Sequence, residues 1–336
     1  MPGSLTRQPA AHEWLSAYRG QTIAVTGAGG FLGARLVARL TSSDCRIIRV
    51  ARSAPPPIDL STAATVTDVT GDVGNRSVWD RVAEADVIFH FAAQTSTAAA
   101  ADDPDGDFHA NVTPMRHLLA ACRQRGAGPI VLFAGTVTQA GMPSRLPVDE
   151  DAPDDPLTVY DRHKLIAEDE LKAAASQGSV RGATLRLANV YGPGGHGRMR
   201  DRDVLNRMIK TAIAGGPLTV FGTGEYLRDY VFVEDVVDAF LMAAVHPEQV
   251  NRRHFVVASG DGISIRNAFA LVAARVERLT GQHVAVVTTE PTTPPSPIEQ
   301  RHFVGDPSRF SAATGWRPSW SLTEGIDRTI EAFTCA

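Results

Sequence analysis

Thr22-Ile23-Ala24-Val25-Thr26-Gly27-Ala28-Gly29-Gly30-Phe31-Leu32-Gly33 is the stretch that decides how this chain of 336 residues is read. An apolar run opens it, and Ala34-Arg35-Leu36-Val37-Ala38-Arg39-Leu40 follows at helical spacing, so the segment reads strand, turn, helix. Glycine recurs at every third position, Gly27, Gly30 and Gly33. That spacing suits a tight turn, close backbone approach of a pyrophosphate, and close packing of the helix on the strand. The unpaired amides of the first helical turn, at Phe31 and Leu32, and the positive end of the helix dipole then face the phosphates. A structural turn can use glycine merely for positive φ. Set between a strand and a helix at the head of a domain, the triplet points instead to a dinucleotide site.

Working outward, Arg46-Ile47-Ile48-Arg49-Val50-Ala51 reads as the second strand, and the prolines at 55 to 57 force a loop after it. A carboxylate at the end of this strand would bind the ribose 2′-hydroxyl of NAD, whereas arginine accommodates a 2′-phosphate. The chain has Ala51-Arg52-Ser53, which favours NADP(H) with NAD open; Arg52 as a solvated charge is the plainer alternative. Asp72, with Val73, follows the third strand-like run and is placed to accept from the adenine amine, or to serve only as a turn aspartate. Ala85 to Gln94 reads as a buried strand whose exit, Phe91-Ala92-Ala93, lets a cofactor lie flat. His90 inside it reads as a hydrogen-bonded core residue rather than a general base. A helix is expected from Asn111 to about Arg125.

Ile130-Val131-Leu132-Phe133 is the next strand, and Thr136 stands just beyond its carboxyl end, where open α/β sheets bind ligands. Tyr160 and Lys164 follow in an Ala-, Leu-, Glu- and Lys-rich helix ending near Ala175. Their spacing of four puts both on one helical face. A phenol with an ordinary pKa of about 10 is a poor acid–base group at neutral pH, and a neighbouring ammonium favours its ionised form. Either residue alone would pass for half of a surface pair; with the glycine turn and Thr136 they form a catalytic set.

Composition sets the outer limits. With 43% hydrophobic and 21% charged residues the chain can bury a large core, one large domain with a smaller lobe. A net charge of −4 without a long Lys/Arg run leaves no footprint for nucleic acid or an acidic membrane, so a small-molecule partner is expected. No long apolar run and no signal-peptide core are present, and a cytoplasmic protein is expected. Cys45, Cys122 and Cys335 show no metal-ligand spacing; inert thiols and no metal are expected.

Taken together, Thr26-Gly27-x-x-Gly30-x-x-Gly33, Thr136 and Tyr160-x-x-x-Lys164 resemble the extended short-chain dehydrogenase/reductases, the nucleotide-sugar epimerase/dehydratase group. The resemblance implies an α/β fold, a doubly wound parallel (Rossmann) sheet with a smaller C-terminal substrate lobe. It assigns 20–188 plus about 229–260 to the dinucleotide domain, about 189–228 and 261–336 to the sugar-nucleotide lobe, and 1–19 to a leader. Tyr160 becomes the acid–base residue, Lys164 the holder of the nicotinamide ribose, and Thr136 the hydrogen-bond partner of the reacting oxygen. Asn189 and the arginines Arg228 and Arg301 would hold the substrate diphosphate, Phe221 would stand in the loop around the base, and Gln94 would touch the substrate. Residues 290 to 297, with four prolines, are expected to form a loop. The resemblance also implies a homodimer formed through helices near 111–125 and 158–175.

Within the family, a dehydratase needs an acid and a base directly after Thr136, and the chain has Val137 and Thr138. A 4-epimerase with tightly held NAD suits an acidic residue at 51 and an aromatic near 140, where Ala51 and Ala140 stand. The closing stretch Thr314–Thr329 and Val180–Leu187 resemble 4-ketoreductases of deoxysugar pathways. NADPH-dependent reduction of a dTDP-4-keto-deoxyhexose is therefore the first expectation and NDP-sugar 4-epimerisation with bound NAD the alternative. A non-catalytic nucleotide-binding regulator comes third, because the fold alone does not imply catalysis.

Overall fold

The computed structural model describes residues 13–55, 57, 62–126, 128–194, 204–290 and 297–335. The leader up to residue 12, Pro56, and most of the proline-bearing stretch 290–297 lie outside the described residues. In the first part of the chain come β1 (Thr22–Thr26), α1 (Phe31–Leu40), β2 (Arg46–Ala51), β3 (Thr65–Thr70), α2 (Arg76–Val82), β4 (Val87–His90), α3 (Thr97–Asp102), α4 (Pro104–Asn111), α5 (Thr113–Arg125), β5 (Ile130–Thr136), α6 (Val159–Ser176) and β6 (Arg181–Leu187). Beyond them lie β7 (Asn189–Tyr191), α7 (Val204–Ile213), β8 (Leu218–Phe221), β9 (Leu227–Phe232), α8 (Val233–Val245), α9 (Pro247–Val250) and β10 (Arg253–Val257). β11 (Gly262–Ser264), α10 (Ile265–Thr280), β12 (Val286–Thr289), α11 (Pro297–Gln300), α12 (Ser308–Thr314) and α13 (Leu322–Thr334) complete the chain.

Seven parallel strands form the central sheet in the order β10-β6-β5-β4-β1-β2-β3. The strand order reverses at β1, which pairs with β2 on one side and β4 on the other. In such a sheet the crevice at the carboxyl ends of the strands flanking the reversal is where a dinucleotide binds. Alternate residues feed opposite faces, as the period of two requires. Ile23, Val25 and Phe89 join Leu36, Val37 and Phe240 of α1 and α8 on one face. Ala24, Ile88 and Phe133 join Met115, Leu118 and Leu171 of α5 and α6 on the other. Each buried Leu, Ile or Phe contributes about 2 kcal/mol by leaving water, so two covered faces account for strands that are nearly all apolar.

A third core gathers Leu205, Ile209, Tyr230, Phe232, Phe269, Val272 and Ile326 from α7, β9, α10 and α13. Over it lie a three-stranded sheet, β11-β9-β7, and a parallel pair, β12-β8. One expectation shifts. Asn111 closes α4 instead of opening a helix, and the next helix starts at Thr113 with Pro114 in its first turn; proline has no N–H to continue the α4 ladder but suits a helix start. β9 hydrogen-bonds in the small sheet. Cys45 and Cys122 are buried but Cys335 is exposed. Among the described residues no helix is long and apolar enough to cross a membrane.

Candidate active site

The glycine turn caps β1 at the reversal point. Gly27 has φ +68°, and a Cβ there would lie 2.9 Å from the amide nitrogen of Ala92. A Cβ on Gly33 would lie 2.3 Å from the Gly27 carbonyl oxygen, so helix α1 rests directly on the turn. Gly30 caps α1 without a side-chain bond, and no acidic residue sits in the first turn. The amides of Phe31 and Leu32 therefore face the crevice end of the helix with its dipole uncompensated. Thr26 fixes the neighbouring strand exit. Its Oγ1 accepts from the amides of Phe91 and Ala92, each at 3.1 Å, and donates to His90 Nδ1 at 2.8 Å. His90 thus carries its proton on Nε2. Burial first, then the charge of Lys164, pulls its pKa down to about 3, so it stays neutral as a core residue.

At the end of β2, Arg52 and Ser53 are exposed. Arg49 is buried and grips Asp68 of β3 with two bonds of 2.7 and 2.8 Å. Asp72 Oδ1 accepts from the Gly74 amide at 2.8 Å, the turn-aspartate geometry. Val73 is buried, and its carbonyl accepts from Trp79 Nε1. Phe91 is half-buried with its ring edge-on to Phe240, and Ala92 and Ala93 beside it are half-buried too. Gln94 is turned inward. Its amide nitrogen donates to Ser96 O and Asp107 Oδ1, both at 2.8 Å, so its side chain is engaged by protein and not free for a substrate.

Helix α6 carries the other half of the crevice. Thr158 and Asp161 form a reciprocal capping box at its start, which sets where Tyr160 and Lys164 fall on the helix. Thr136 Oγ1 lies 2.9 Å from Thr138 Oγ1, and the Thr138 hydroxyl donates to Asp161 Oδ1. The end of β5 is in this way tied to the turn that bears Tyr160, which is half-buried. Lys164 is buried, with Nζ 4.2 Å from the centre of the Phe133 ring on β5. Burial lowers its pKa to about 7, against the opposing pull of Asp107 and Glu168. Glu168, one turn on, anchors the helix. It accepts from Arg186 at 2.7 and 3.0 Å, from Lys172 at 2.6 Å and from Gln139 at 3.1 Å. Burial would raise its carboxyl, but the bonds from His254 and Arg186 hold it well below the carboxylate range.

Four predicted substrate residues come from the smaller lobe. Asn189 Nδ2 donates to the Asp229 carbonyl at 2.9 Å, which joins β7 to β9. Arg228 donates to the carbonyls of Leu227, Glu299 and Arg301, so it holds the segment that bears Arg301. Arg301 is buried, and its Nε has no hydrogen-bond partner among the described residues. Burial and the nearby Arg228 lower its pKa, with Asp161 opposing. Phe221 ends β8 with 63% of its surface exposed. Sequence reasoning missed Asp107, Thr138, Asp161, His163 and Glu168. Only Asp161 left a local signal, the Thr158-x-x-Asp161 box.

A reversed parallel sheet, a bare helix start at a glycine turn and a Tyr-x-x-x-Lys helix define a dinucleotide-dependent enzyme of the oxidoreductase type. Comparison with known proteins narrows the class. The NAD dependent epimerase/dehydratase family matches residues 23–258. A UDP-glucose 4-epimerase of Mycolicibacterium smegmatis is 31% identical over 318 residues, 92% of this chain and 97% of its own. The UDP-glucose 4-epimerase of Thermotoga maritima, solved with UDP-glucose, superposes with a TM-score of 0.81 at 26% identity, covering 94% and 99% of the two chains. That of Thermus thermophilus, solved with NAD, gives 0.78 at 26% identity with the same coverage. The chain belongs to the NAD dependent epimerase/dehydratase family. These relatives are 4-epimerases, so the specific resemblance of the closing stretches to 4-ketoreductases is not borne out.

Proposed function

We propose that this enzyme is an NAD-dependent 4-epimerase of a nucleoside diphosphate hexose, with a UDP-hexose as substrate. The carrying observation is Thr136, Tyr160 and Lys164 on adjoining ends of β5 and α6 with Val137 and Thr138, no acid or base, directly after Thr136. That set suits reversible oxidation at one carbinol carbon and lacks the extra pair needed for elimination. The near full-length likeness to 4-epimerases favours inversion over net reduction. In this reading the large sheet with α8 and β10 carries the cofactor and the third core carries the sugar nucleotide.

The residues fit a nicotinamide dinucleotide: Phe31 and Leu32 amides for the pyrophosphate, Ala92 and Ala93 beneath it, and the buried Lys164 ammonium for the nicotinamide ribose. Bound there, a nicotinamide would supply a reversible hydride acceptor for the sugar C4. Tyr160 removes the C4 hydroxyl proton and later gives it back. Lys164 favours the ionised phenol by its positive charge. Thr136 turns its hydroxyl away from Thr138 Oγ1, whose own proton is held by Asp161, to donate to the C4 oxygen. Arg301, on the segment held by Arg228, pairs with the diphosphate, so binding energy far from C4 positions the ring. Phe221 offers an exposed face to the base.

The exposed Arg52-Ser53 pair, with no carboxylate beside it, supports a second reading, an NADPH-dependent 4-ketoreductase of a dTDP-deoxyhexose. The nucleotide released from purified, denatured protein separates the two. Near-stoichiometric NAD is the epimerase result; an empty site that prefers added NADPH would reverse the order.

A further inference from the structure

The edge strand of the central sheet, β10, borders a cleft of about 860 Å³ between α9, α12 and the late turns of α6. The cleft opens at the start of β10, away from the carboxyl ends of the strands where the dinucleotide crevice lies. None of its lining residues belongs to the glycine turn, the catalytic set or the Arg228–Arg301 pair. Arg252 and Arg253 line it, both exposed, and among the described residues neither pairs with a carboxylate. Arg252 has φ +67°, the one positive value at a non-glycine residue among the described residues. Its amide donates to the Gly182 carbonyl at 2.7 Å, and the Gly182 amide donates to Asn251 Oδ1 at 2.9 Å, so β6 holds the turn in that conformation. Glycine suits this φ without strain, and packing does not call for an exposed guanidinium there.

Two further lining residues each carry a buried atom without a hydrogen-bond partner, His254 Nε2 and Glu150 Oε2. Lys172 Nζ can only donate and lies 2.8 Å from His254 Nδ1, so that nitrogen accepts and Nε2 carries the proton. An imidazolium, donating through Nδ1 to Glu168 Oε1 3.2 Å away, has that proton as well. Glu150 keeps 7% of its side chain exposed. Its Oε1 accepts from the Val256 amide at 2.8 Å, while Oε2 lies 3.6 Å from Arg309 Nε, beyond hydrogen-bond reach. The other charges are engaged, Arg309 by Asp151, Lys172 by Glu168 and Glu248 by Arg181. A buried donor beside two unpaired guanidiniums calls for an anion, and a buried acceptor calls for a donor on the same ligand. We propose that this cleft is a second ligand site, for a phosphate monoester of a polyhydroxylated small molecule. Arg252, Arg253 and His254 Nε2 hold the phosphate, and a hydroxyl of the ligand donates to Glu150 Oε2. A phosphate monoester is close to a dianion at neutral pH and offers three acceptor oxygens, and a cleft of this volume takes a molecule of that size. The site does not depend on which reaction the crevice performs.

Calorimetric titration of the full-length protein with glucose 6-phosphate, and separately with inorganic phosphate and with glucose, tests the site. Glucose 6-phosphate is expected to bind more tightly than either of its halves. Arg252→Gly combined with Arg253→Ser is expected to weaken it by about tenfold or more, since charge-assisted bonds are lost. The same variant should lose no Tm, because glycine suits the backbone at 252. Glu150→Gln, whose amide oxygen can still accept from Val256, is expected to narrow the advantage of glucose 6-phosphate over inorganic phosphate. Arg301→Ala is expected to leave the titration unchanged. No saturable binding at millimolar glucose 6-phosphate, or binding that survives the double arginine variant, overturns the proposal. So does binding abolished by Arg301→Ala, which would put the phosphate in the crevice. The readout needs no turnover, so a wrong assignment of the reaction would leave it standing and would show only in the epimerase assay.

Discussion

In the proposed reaction Tyr160 and Lys164 carry the chemistry at the residue scale, and their environments differ in kind. Tyr160→Phe removes the proton carrier. Turnover is expected to fall about a thousandfold, within the usual range for a lost general acid–base, with nucleotide content unchanged; turnover near the original rate would take the phenol out of the mechanism. Glu168 is a different case, a fully buried anion held by Arg186, Lys172, Gln139 and His254. Glu168→Gln is expected to cost about 3 kcal/mol in denaturant unfolding, because it leaves Arg186 buried with only Asp154 as a full charge partner. Its folded pKa is depressed, so its stabilisation is complete above the ordinary 4.5 and drains away as pH falls below that value. Stability measured between pH 5 and 2 should therefore fall more steeply in the parent than in Glu168→Gln.

α6 organises the site at the scale of elements. One face meets β5 through Lys164 and Ala167, the next meets α4 through His163, and its later turns meet β6 and β10 through Glu168 and Lys172. Thr158→Ala removes the cap and should cost about 1 kcal/mol. α1 is set as tightly at its other end. A Cβ on Gly33 meets backbone atoms of Gly27 that cannot swing aside, so Gly33→Ala is expected to lose about 3 kcal/mol and to purify without nucleotide. A Gly33→Ala protein with full nucleotide content would mean that the turn gives way more easily than its packing implies.

These elements show what a single sequence can reveal. The glycine turn, the Tyr-x-x-x-Lys helix and the strand ending at Thr136 are local patterns, and local patterns survive reading in one dimension. The break between α4 and α5 escapes such a reading because Pro114 marks a start as readily as a stop. Gln94 reads as a substrate residue because its position at a strand exit is visible, whereas its bond to Asp107 depends on how α4 folds back. Asp107 itself, in a polar run with Asp102, Asp103 and Asp105, looks like a solvated charge until α6 buries it. The expected preference for NADP rests on three residues, Ala51 to Ser53, and that for ketone reduction also on Ala140 and the stretches 180–187 and 314–329, and whole-chain likeness to 4-epimerases weighs against it.

For the whole molecule, the proposed function has the two lobes hold one substrate. Arg228 reaches from β9 to the carbonyls of the 299–301 segment, and Arg301 returns toward the start of α6. If Arg228 works by holding Arg301, then Arg228→Ala and Arg301→Ala should each raise KM for the sugar nucleotide. The double variant should be little worse than the poorer single, since the two act as one unit. Independent, multiplying effects would mean that each arginine contacts the diphosphate separately. The most direct test of the epimerase reading follows the C4 hydrogen itself. UDP-galactose carrying deuterium at C4, incubated with the purified enzyme in ordinary water, should yield UDP-glucose that keeps the deuterium, with no added NADPH consumed. Failure to form UDP-glucose, together with NADPH oxidation when a 4-keto sugar nucleotide is supplied, would contradict it.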